Sequence, residues 1–223
     1  MNVLAIETAS EVGSVGILAG DAVHAEPVGV EQHQSGGLLS AVERCLARTG
    51  LALTQCDAIA VDTGPGSFTG LRVGLGVAQG LAYGADLPVV PVSSLRALAQ
   101  ACRGGPVLAL LDARMQEVYW GCFMPDTDGW MQPLGDEQVS PPEAVVVATQ
   151  LGQAWRVAGN GWERYRERFS VLSGALSIEV CDARQPHARE IARLGAYFVS
   201  QGMAVSPLET YPRYLRNKVA NKP

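Results

Sequence analysis

The chain has 223 residues, of which 48% are apolar and 17% are charged, and it carries a formal net charge of −5. This composition is typical of a globular protein with a sizeable core and excludes an intrinsically disordered chain. The acidic balance argues against tight binding of nucleic acid by this chain alone, because neutralising phosphates requires a basic surface.

Residues 1–104 predict a first α/β lobe with the element order βββαβαβ. Apolar alternation and turn signals mark its strands, while apolar residues at helical spacing mark its two helices. The predicted strands are Asn2–Ile6, Gly13–Ala19, Ala22–Val28, Ala58–Val61 and Val89–Val92; the helices run from Ser35 to about Arg48 and from Ser67 to about Gly84.

Residues 105–223 predict a second, reduced copy of the same lobe. Both "VLAIETASEVGSVGIL" and "VLALLDARMQEVYWGCF" contain an apolar strand that ends in an acid, a polar turn and a returning strand. The acids are Glu7 and Asp112. Further elements are predicted at Pro142–Leu151 (helix), at Trp155–Ala158 (strand) and at Pro186–Gln201 (a helix capped by an upstream Asp or Gln). We interpret the chain as two tandem actin-like (RNase H-like, ASKHA) lobes of βββαβα type.

The stretch "VDTGPGSFTGLRVG" (Val61–Gly74) looks like a phosphate-binding loop that leads into a helix. A P-loop needs a lysine after its last glycine, where this chain has Leu71, and a dinucleotide fingerprint is one residue shorter. We therefore interpret it as a strand–turn–helix corner with Ser67 as the helix N-cap. An anion at the amides of Phe68 and Thr69 is the alternative.

The acids at the strand ends suggest a degraded phosphate cleft. In the actin-like superfamily the acid after each lobe's first strand handles metal-bound phosphates. Here the candidate cleft residues are Glu7, Thr8, Ser10 and Asp112, and the turn after Asp112 lacks glycine. The three histidines are too far apart in sequence to suggest a metal site. We expect no catalytic residue, no metal and no cofactor of the chain's own, with ATP or ADP bound only together with partners.

The second predicted helix carries five glycines: Gly70, Gly74, Gly76, Gly80 and Gly84. Each costs a helix roughly 0.5–1 kcal/mol relative to alanine, so a neighbour that approaches the backbone closely is expected. That neighbour is either another part of the same lobe or a partner subunit, and the sequence leaves both open.

The five cysteines are scattered, odd in number and without a Cys-x-x-Cys pair. This favours reduced thiols in a cytoplasmic protein over a disulfide framework or a zinc site. No apolar run reaches the roughly 20 residues that span a bilayer, and no signal peptide opens the chain. We expect a cytoplasmic protein without a membrane partner.

Three segments resemble the bacterial TsaB (YeaZ) family of tRNA threonylcarbamoyladenosine biosynthesis proteins. They are "DTGPGSFTGLRVGLGVAQGLAYGADLPVVPVSSL" (Asp62–Leu95), "LLDARMQEVYW" (Leu110–Trp120) and "YPRYLRN" (Tyr211–Asn217). The resemblance implies a non-catalytic partner and activator of TsaD, which places threonylcarbamoyl on N6 of adenosine 37 in ANN-decoding tRNAs. It also implies a heterodimer with TsaD, the ATPase TsaE as a further partner, indirect contact with tRNA, and a homodimer when the chain is alone.

The resemblance also implies where the partner docks. The docking residues would lie on the first two helices: Leu38, Leu39, Val42, Leu46, Phe68, Leu71, Arg72 and Leu75. TsaD continues into a "HHMEGH"-type run whose histidines bind metal, whereas this chain has Ser94 and Leu98 at the ligand positions. Neither side chain can replace imidazole.

Two other functions stay open at this point. One is a nucleotide-binding ATPase or kinase of the actin-like superfamily that uses Glu7 and Asp112. The other is a glycoprotease-like peptidase, for which the sequence offers no nameable residues.

Overall fold

The first of two compact units is built on a five-stranded mixed sheet. The structure, a computed structural model, describes residues 1–28, 35–147, 154–169 and 177–216. The strands of the sheet are β1 (Asn2–Glu7), β2 (Ser14–Ala19), β3 (Ala22–Pro27), β4 (Ala58–Gly64) and β5 (Val89–Ser93). Their order is β3-β2-β1-β4-β5; β1, β2 and β3 pair antiparallel, whereas β1, β4 and β5 pair parallel. The five predicted strands are confirmed, and in each of them one end matches while the other differs by one to three residues.

Helices cover both faces of this sheet. Helices α1 (Ser35–Thr49) and α2 (Phe68–Ala85) share one apolar core with strand residues such as Leu4 and Ile59. Because side chains alternate along a strand, Val3 and Ala60 point to the opposite face. There α5 (Ala188–Ser200) approaches so closely that a Cβ added to Gly195 would meet Ala60 and Val3. The result is a three-layer arrangement in which the sheet is buried on both sides.

The second unit has a sheet of the same topology. Its strands are β6 (Val107–Asp112), β7 (Val118–Pro125), β8 (Met131–Pro133), β9 (Gln138–Ser140), β10 (Trp155–Ala158) and β11 (Ile178–Val180). Their order is β11-β10-β6-β7-β8, with β9 paired with β7. The short helix α3 (Ser94–Ala101) precedes β6, and helix α4 (Asn160–Tyr165) follows β10. Trp155 and Phe169 are almost fully buried in the core of this unit.

The two sheets support the predicted duplication. In each, an antiparallel hairpin, β1–β2 or β6–β7, is joined at its first strand by a parallel strand, β4 or β10. The predicted fold class of two tandem actin-like lobes is confirmed.

The division of the chain differs from the predicted boundary at residues 104/105. The first unit comprises Met1–Ala97 and Pro186–Arg213; the second comprises Leu98–Gln185 and the described residues from Tyr214. The physical reason is α5, which packs on the first sheet although it follows the second in sequence. Its N-cap is His187, whose Nδ1 accepts a hydrogen bond from the Arg189 amide at 3.1 Å, and not the predicted Asp or Gln.

The structure also differs from a helix predicted in the second half of the chain. The predicted helix Pro142–Leu151 begins as a single 3₁₀ turn at Pro142–Ala144, and residues 148–153 lie outside the described part of the chain.

Cys102 and Cys181 form a disulfide with a Cα–Cα distance of 6.1 Å, so the prediction of reduced thiols is wrong for this pair. The two cysteines are 79 residues apart in sequence, so no local motif signals the pair.

No helix within the described ranges is long and apolar enough to cross a bilayer.

The glycines of α2 fall into two groups. At Gly70 and Gly74 an added Cβ would overlap Thr8, whose hairpin lies directly on the first turns of the helix. At Gly76, Gly80 and Gly84 an added Cβ would have no neighbour within 4 Å. The close approach predicted from the glycines is therefore internal for the first group only.

This difference gives a matched pair of substitutions. Gly70→Ala should lower the free energy of unfolding by roughly 2 kcal/mol or more, because the new methyl group overlaps the Thr8 carbonyl oxygen. Gly80→Ala should raise it by roughly 0.5–1 kcal/mol, because alanine is the better helix former and the position is open. Urea denaturation of both variants measures the effect, and equal changes would contradict the assigned contact.

Candidate functional site

Glu7 is the last residue of β1, and its side chain is completely buried. Its Oε1 accepts a hydrogen bond from the Ser10 amide at 2.8 Å, and its Oε2 accepts one from the Ser10 hydroxyl at 2.7 Å. The Ser14 hydroxyl donates to Oε2 at 3.4 Å. Both carboxyl oxygens thus form hydrogen bonds with the hairpin that follows β1.

The rest of the hairpin is bound in the same way. The Thr8 hydroxyl donates to the Gly70 carbonyl at 2.8 Å, and the Ser67 amide donates to the Ala9 carbonyl at 2.9 Å. The Ser14 hydroxyl accepts from the Ala188 amide at 2.9 Å and so ties the start of α5 to the hairpin. The candidate cleft residues Glu7, Thr8 and Ser10 therefore come together, but around partners within the first unit.

A second acid, Asp62, is also completely buried in the first unit. Its Oδ1 accepts hydrogen bonds from the Gly64 amide at 2.8 Å and from the Ser94 hydroxyl at 2.6 Å. Ser94, one of the two positions compared with TsaD in the sequence analysis, thus binds a carboxylate through its hydroxyl. Leu98, the other position, is fully buried.

Burial, together with the charge of nearby Asp62, raises the pKa of Glu7 to about 8. The hydrogen bonds from Ser10 and from the Ala9 amide oppose this shift but do not outweigh it. The Glu7 carboxyl is therefore protonated near neutral pH, unlike a carboxylate that holds a metal-bound phosphate.

Asp112 closes β6 in the second unit and is equally engaged. Its Oδ1 accepts from the Arg114 amide and from the Tyr165 hydroxyl, each at 2.9 Å, and its Oδ2 pairs with Arg164 Nε at 3.4 Å. The turn after Asp112, which lacks glycine, is formed by Arg114, Met115 and Gln116. All three residues are in the left-handed region, with φ of 60°, 52° and 62°.

Among the residues that the structure describes, no three His, Cys, Asp or Glu side chains are grouped so that they could hold a metal ion.

The predicted docking residues divide by burial. Four of them form part of the first unit's own core: Leu38, Val42, Leu71 and Leu75, with Leu46 half-buried against it. They face the sheet because the apolar side of a helix in a layered fold covers its own strands, so their assignment to a partner surface is corrected.

The other three predicted docking residues are exposed. Leu39 is 41% exposed on α1, and Phe68 is 52% exposed at the start of α2. The Arg72 guanidinium lies 3.5 Å from the centre of the Phe68 ring, so the two side chains form one exposed pair.

An exposed surface that the sequence did not separate from the core lies along α2. Gly76, Gly80, Tyr83 and Gly84 all face outward, and Tyr83 is 77% exposed. We call these four residues the α2 stripe. Their spacing of three and four residues is visible in the sequence, but Gly70 and Gly74 have the same spacing and lie inside.

The C-terminal segment lies beside α2. Gln79 Nε2 donates to the carbonyl oxygens of Pro207 at 2.9 Å and of Thr210 at 3.0 Å. This places two further apolar side chains at the surface, Leu208 at 70% and Tyr211 at 72% exposure. The α2 surface therefore includes residues far apart in sequence.

The buried carboxyl of Glu7 should make the stability of the fold depend on pH. Because its pKa is about 8 in the folded chain against 4.5 as a model value, the folded state retains a proton that the unfolded state releases. The free energy of unfolding should fall as pH rises from 4.5 to about 8, by up to roughly 1.4 kcal/mol per pH unit.

Chemical denaturation of wild type and Glu7→Gln across this pH window tests the assignment. The glutamine mimics the protonated acid, so the variant should show a flatter pH profile. Glu43→Gln, on the exposed side of α1, is the matched control and should keep the wild-type slope. Parallel profiles for wild type and Glu7→Gln would rule out this acid as the cause.

Comparison with known proteins gives consistent relatives. The family model for TsaD, tRNA N6-adenosine threonylcarbamoyltransferase, matches residues 17–222. The chain is 38% identical to the tRNA threonylcarbamoyladenosine biosynthesis protein TsaB of Haemophilus influenzae, over 100% of this chain and 96% of that protein. It is 37% identical to TsaB of Escherichia coli, over 100% of this chain and 97% of that protein.

A solved structure agrees with these relatives. YeaZ from Pseudomonas aeruginosa superimposes with a TM-score of 0.84 and 36% identity, over 96% of this chain and 99% of that chain. The resemblance inferred from the three sequence segments is thereby confirmed over the whole length. The chain has the fold of YeaZ from Pseudomonas aeruginosa, and it belongs to the TsaB family.

Proposed function

We propose that the chain acts in tRNA threonylcarbamoyladenosine biosynthesis as the non-catalytic partner and activator of TsaD. The observation that carries the biosynthetic role is its 37–38% identity, over its full length, to relatives named for this pathway. In this proposal TsaD modifies N6 of adenosine 37 in ANN-decoding tRNAs, and the chain reaches tRNA only through the complex.

The hydrogen bonds that the two strand-end acids already accept support a non-catalytic role. Glu7 and Asp112, the acids at the two superfamily positions, each accept hydrogen bonds from their own hairpins. Ser94 and Leu98 stand where TsaD has metal ligands, and both are fully buried. We therefore assign neither a catalytic residue nor a nucleotide of its own to the chain, and ATP or ADP only to the complex.

The α2 stripe is the surface that fits a partner helix. Glycines at Gly76, Gly80 and Gly84 let a second helix approach the backbone closely, and Tyr83 offers aromatic area beside them. Because TsaD shares this fold, its corresponding helix would pair with α2 in a nearly symmetric contact. The same surface would serve a homodimer when TsaD is absent, and TsaE would join the heterodimer in the cytoplasm.

Substituting one glycine of the α2 stripe tests this surface without disturbing the core. Gly80→Arg should leave the chain folded, because the position is open and arginine is the better helix former. It should weaken association with TsaD by 100-fold or more, an estimate of about 3 kcal/mol for a long charged side chain in a close helix contact. Size-exclusion chromatography with light scattering, and tRNA modification by the reconstituted complex, give the two readouts.

The control is Ser200→Arg at the exposed end of α5, which lies on the other face of the sheet. It should leave both association and modification at the wild-type level. If Gly80→Arg pairs with TsaD as wild type does, the α2 surface is excluded as the interface. If wild type itself does not pair, the partner role is excluded.

The competing function, a nucleotide-binding ATPase or kinase, makes the opposite prediction for the isolated chain. Titration calorimetry with Mg-ATP should show no binding in the micromolar range, because Glu7 and Asp112 already accept hydrogen bonds from their own hairpins. Micromolar binding that is lost in Glu7→Gln would overturn the non-catalytic assignment.

A further inference from the structure

The disulfide joins the two ends of the main segment of the second unit. That segment runs from Leu98 to Gln185, and the bonded residues are Cys102 and Cys181, four residues inside each end. All the strands from β6 to β11 lie within the loop that the bond closes. Cys102 follows α3 directly and Cys181 follows β11 directly, so the bond connects the point where the chain begins this sheet with the point where it leaves it.

Arg156 on β10 holds the same two segments together without a covalent bond. Its Nη1 donates to the carbonyl oxygen of Arg103, the neighbour of Cys102. Its Nε and Nη2 donate to the two carboxylate oxygens of Glu179, two residues before Cys181, at 3.2 and 3.3 Å. The Cys181 amide also donates to the Val157 carbonyl at 2.9 Å. These contacts do not depend on the bond, so they keep the two sulfur atoms close when both are thiols.

We propose that Cys102 and Cys181 are a reversible thiol–disulfide site that exchanges with small thiols of the glutathione class, and that Arg156 positions the pair. Arg156 raises the local concentration of one thiol at the other, which favours ring closure over a stable mixed disulfide. The site is independent of the proposed function, because neither cysteine belongs to the α2 stripe and every readout uses the isolated chain.

Exposure gives the order of the two exchange steps. Cys181 is half-buried, whereas Cys102 is 3% exposed. The Cys181 thiolate attacks oxidised glutathione, forming a mixed disulfide and releasing one glutathione thiolate, which takes up a proton. The Cys102 thiolate then attacks the Cys181 sulfur and releases the second glutathione. In the net reaction two cysteine thiols are oxidised to one disulfide, and one glutathione disulfide is reduced to two thiols.

The remaining cysteines do not compete for the oxidant. Cys45, Cys56 and Cys122 are buried and free. Burial raises the pKa of the Cys45 and Cys122 thiols to about 11, and raises that of Cys56. Exchange requires the thiolate, so these three side chains react slowly with an external disulfide at neutral pH. Cys102 is as buried as they are, but it attacks the Cys181 sulfur that already lies beside it.

Equilibration in glutathione buffers of graded ratio, followed by alkylation and mass spectrometry, tests the proposal. Wild type that is unfolded for alkylation should pass from five alkylated cysteines to three alkylated cysteines and one internal disulfide at a defined ratio of reduced to oxidised glutathione. Cys102→Ser should gain the mass of one glutathione on Cys181, whereas Cys181→Ser should leave Cys102 unmodified. The oxidised chain should melt roughly 10 °C above the reduced one, because the bond closes a long loop.

Substitution of Arg156 tests the positioning role. Arg156→Leu should need about a tenfold more oxidising ratio to form half of the disulfide, an effect of one weakened charged contact. Arg168→Leu, which removes an arginine paired with Glu143 in the same unit, should keep the wild-type midpoint. An unchanged midpoint in Arg156→Leu would exclude positioning by this residue.

Two results for wild type would overturn the site itself. In one, Cys102 and Cys181 are alkylated at every ratio of reduced to oxidised glutathione, so no disulfide forms. In the other, the disulfide is still present at the most reducing ratio. Because both are measured on the unmodified chain, they do not depend on whether any variant folds.

Discussion

The first unit depends on the close contact between the β1–β2 hairpin and the first turns of α2. Thr8 lies against Gly70 and Gly74, and any side chain larger than hydrogen at Gly70 would overlap the Thr8 carbonyl. Glu7 stabilises the same hairpin from inside, with both carboxylate oxygens bonded to hairpin residues. The acid and the hydroxyl groups of this hairpin are thus hydrogen-bonded within the first unit.

This inward packing explains why the outward side of α2 carries the proposed function. The hairpin fixes the first turns of α2, and Leu71 and Leu75 enter the core. The helix therefore presents one defined surface to a partner. The C-terminal segment, held by Gln79, borders that surface. Stability and association are therefore separated along one helix: residues at its N-terminal end and inner side maintain the fold, and Gly76, Gly80 and Gly84 are left open.

Local patterns predicted the strands, the first two helices and the Ser67 cap, because alternation, helical spacing and capping act over a few residues. The sequence did not predict that α5 completes the first sheet, or that Cys102 meets Cys181, since both depend on contacts about 80 or more residues apart. Four of the eight predicted docking residues lie in the core, and the sequence missed this for another reason. A leucine on an amphipathic helix satisfies the core and the interface hypotheses equally well, and only the packing of Leu38 and Leu75 on the sheet distinguishes them.

The position of α5 has a consequence during synthesis. The chain leaves the first unit at Ala97 and returns to it at Pro186, so the main segment of the second unit is inserted within the first. At roughly 5–20 residues per second, a ribosome takes on the order of 4–18 s to make the intervening segment. Throughout that time the face of the first sheet that carries Val3 and Ala60 lacks its covering helix. The main segment of the second unit, Leu98–Gln185, is therefore synthesised first, and the unit that bears the N-terminus closes only after α5 has been made.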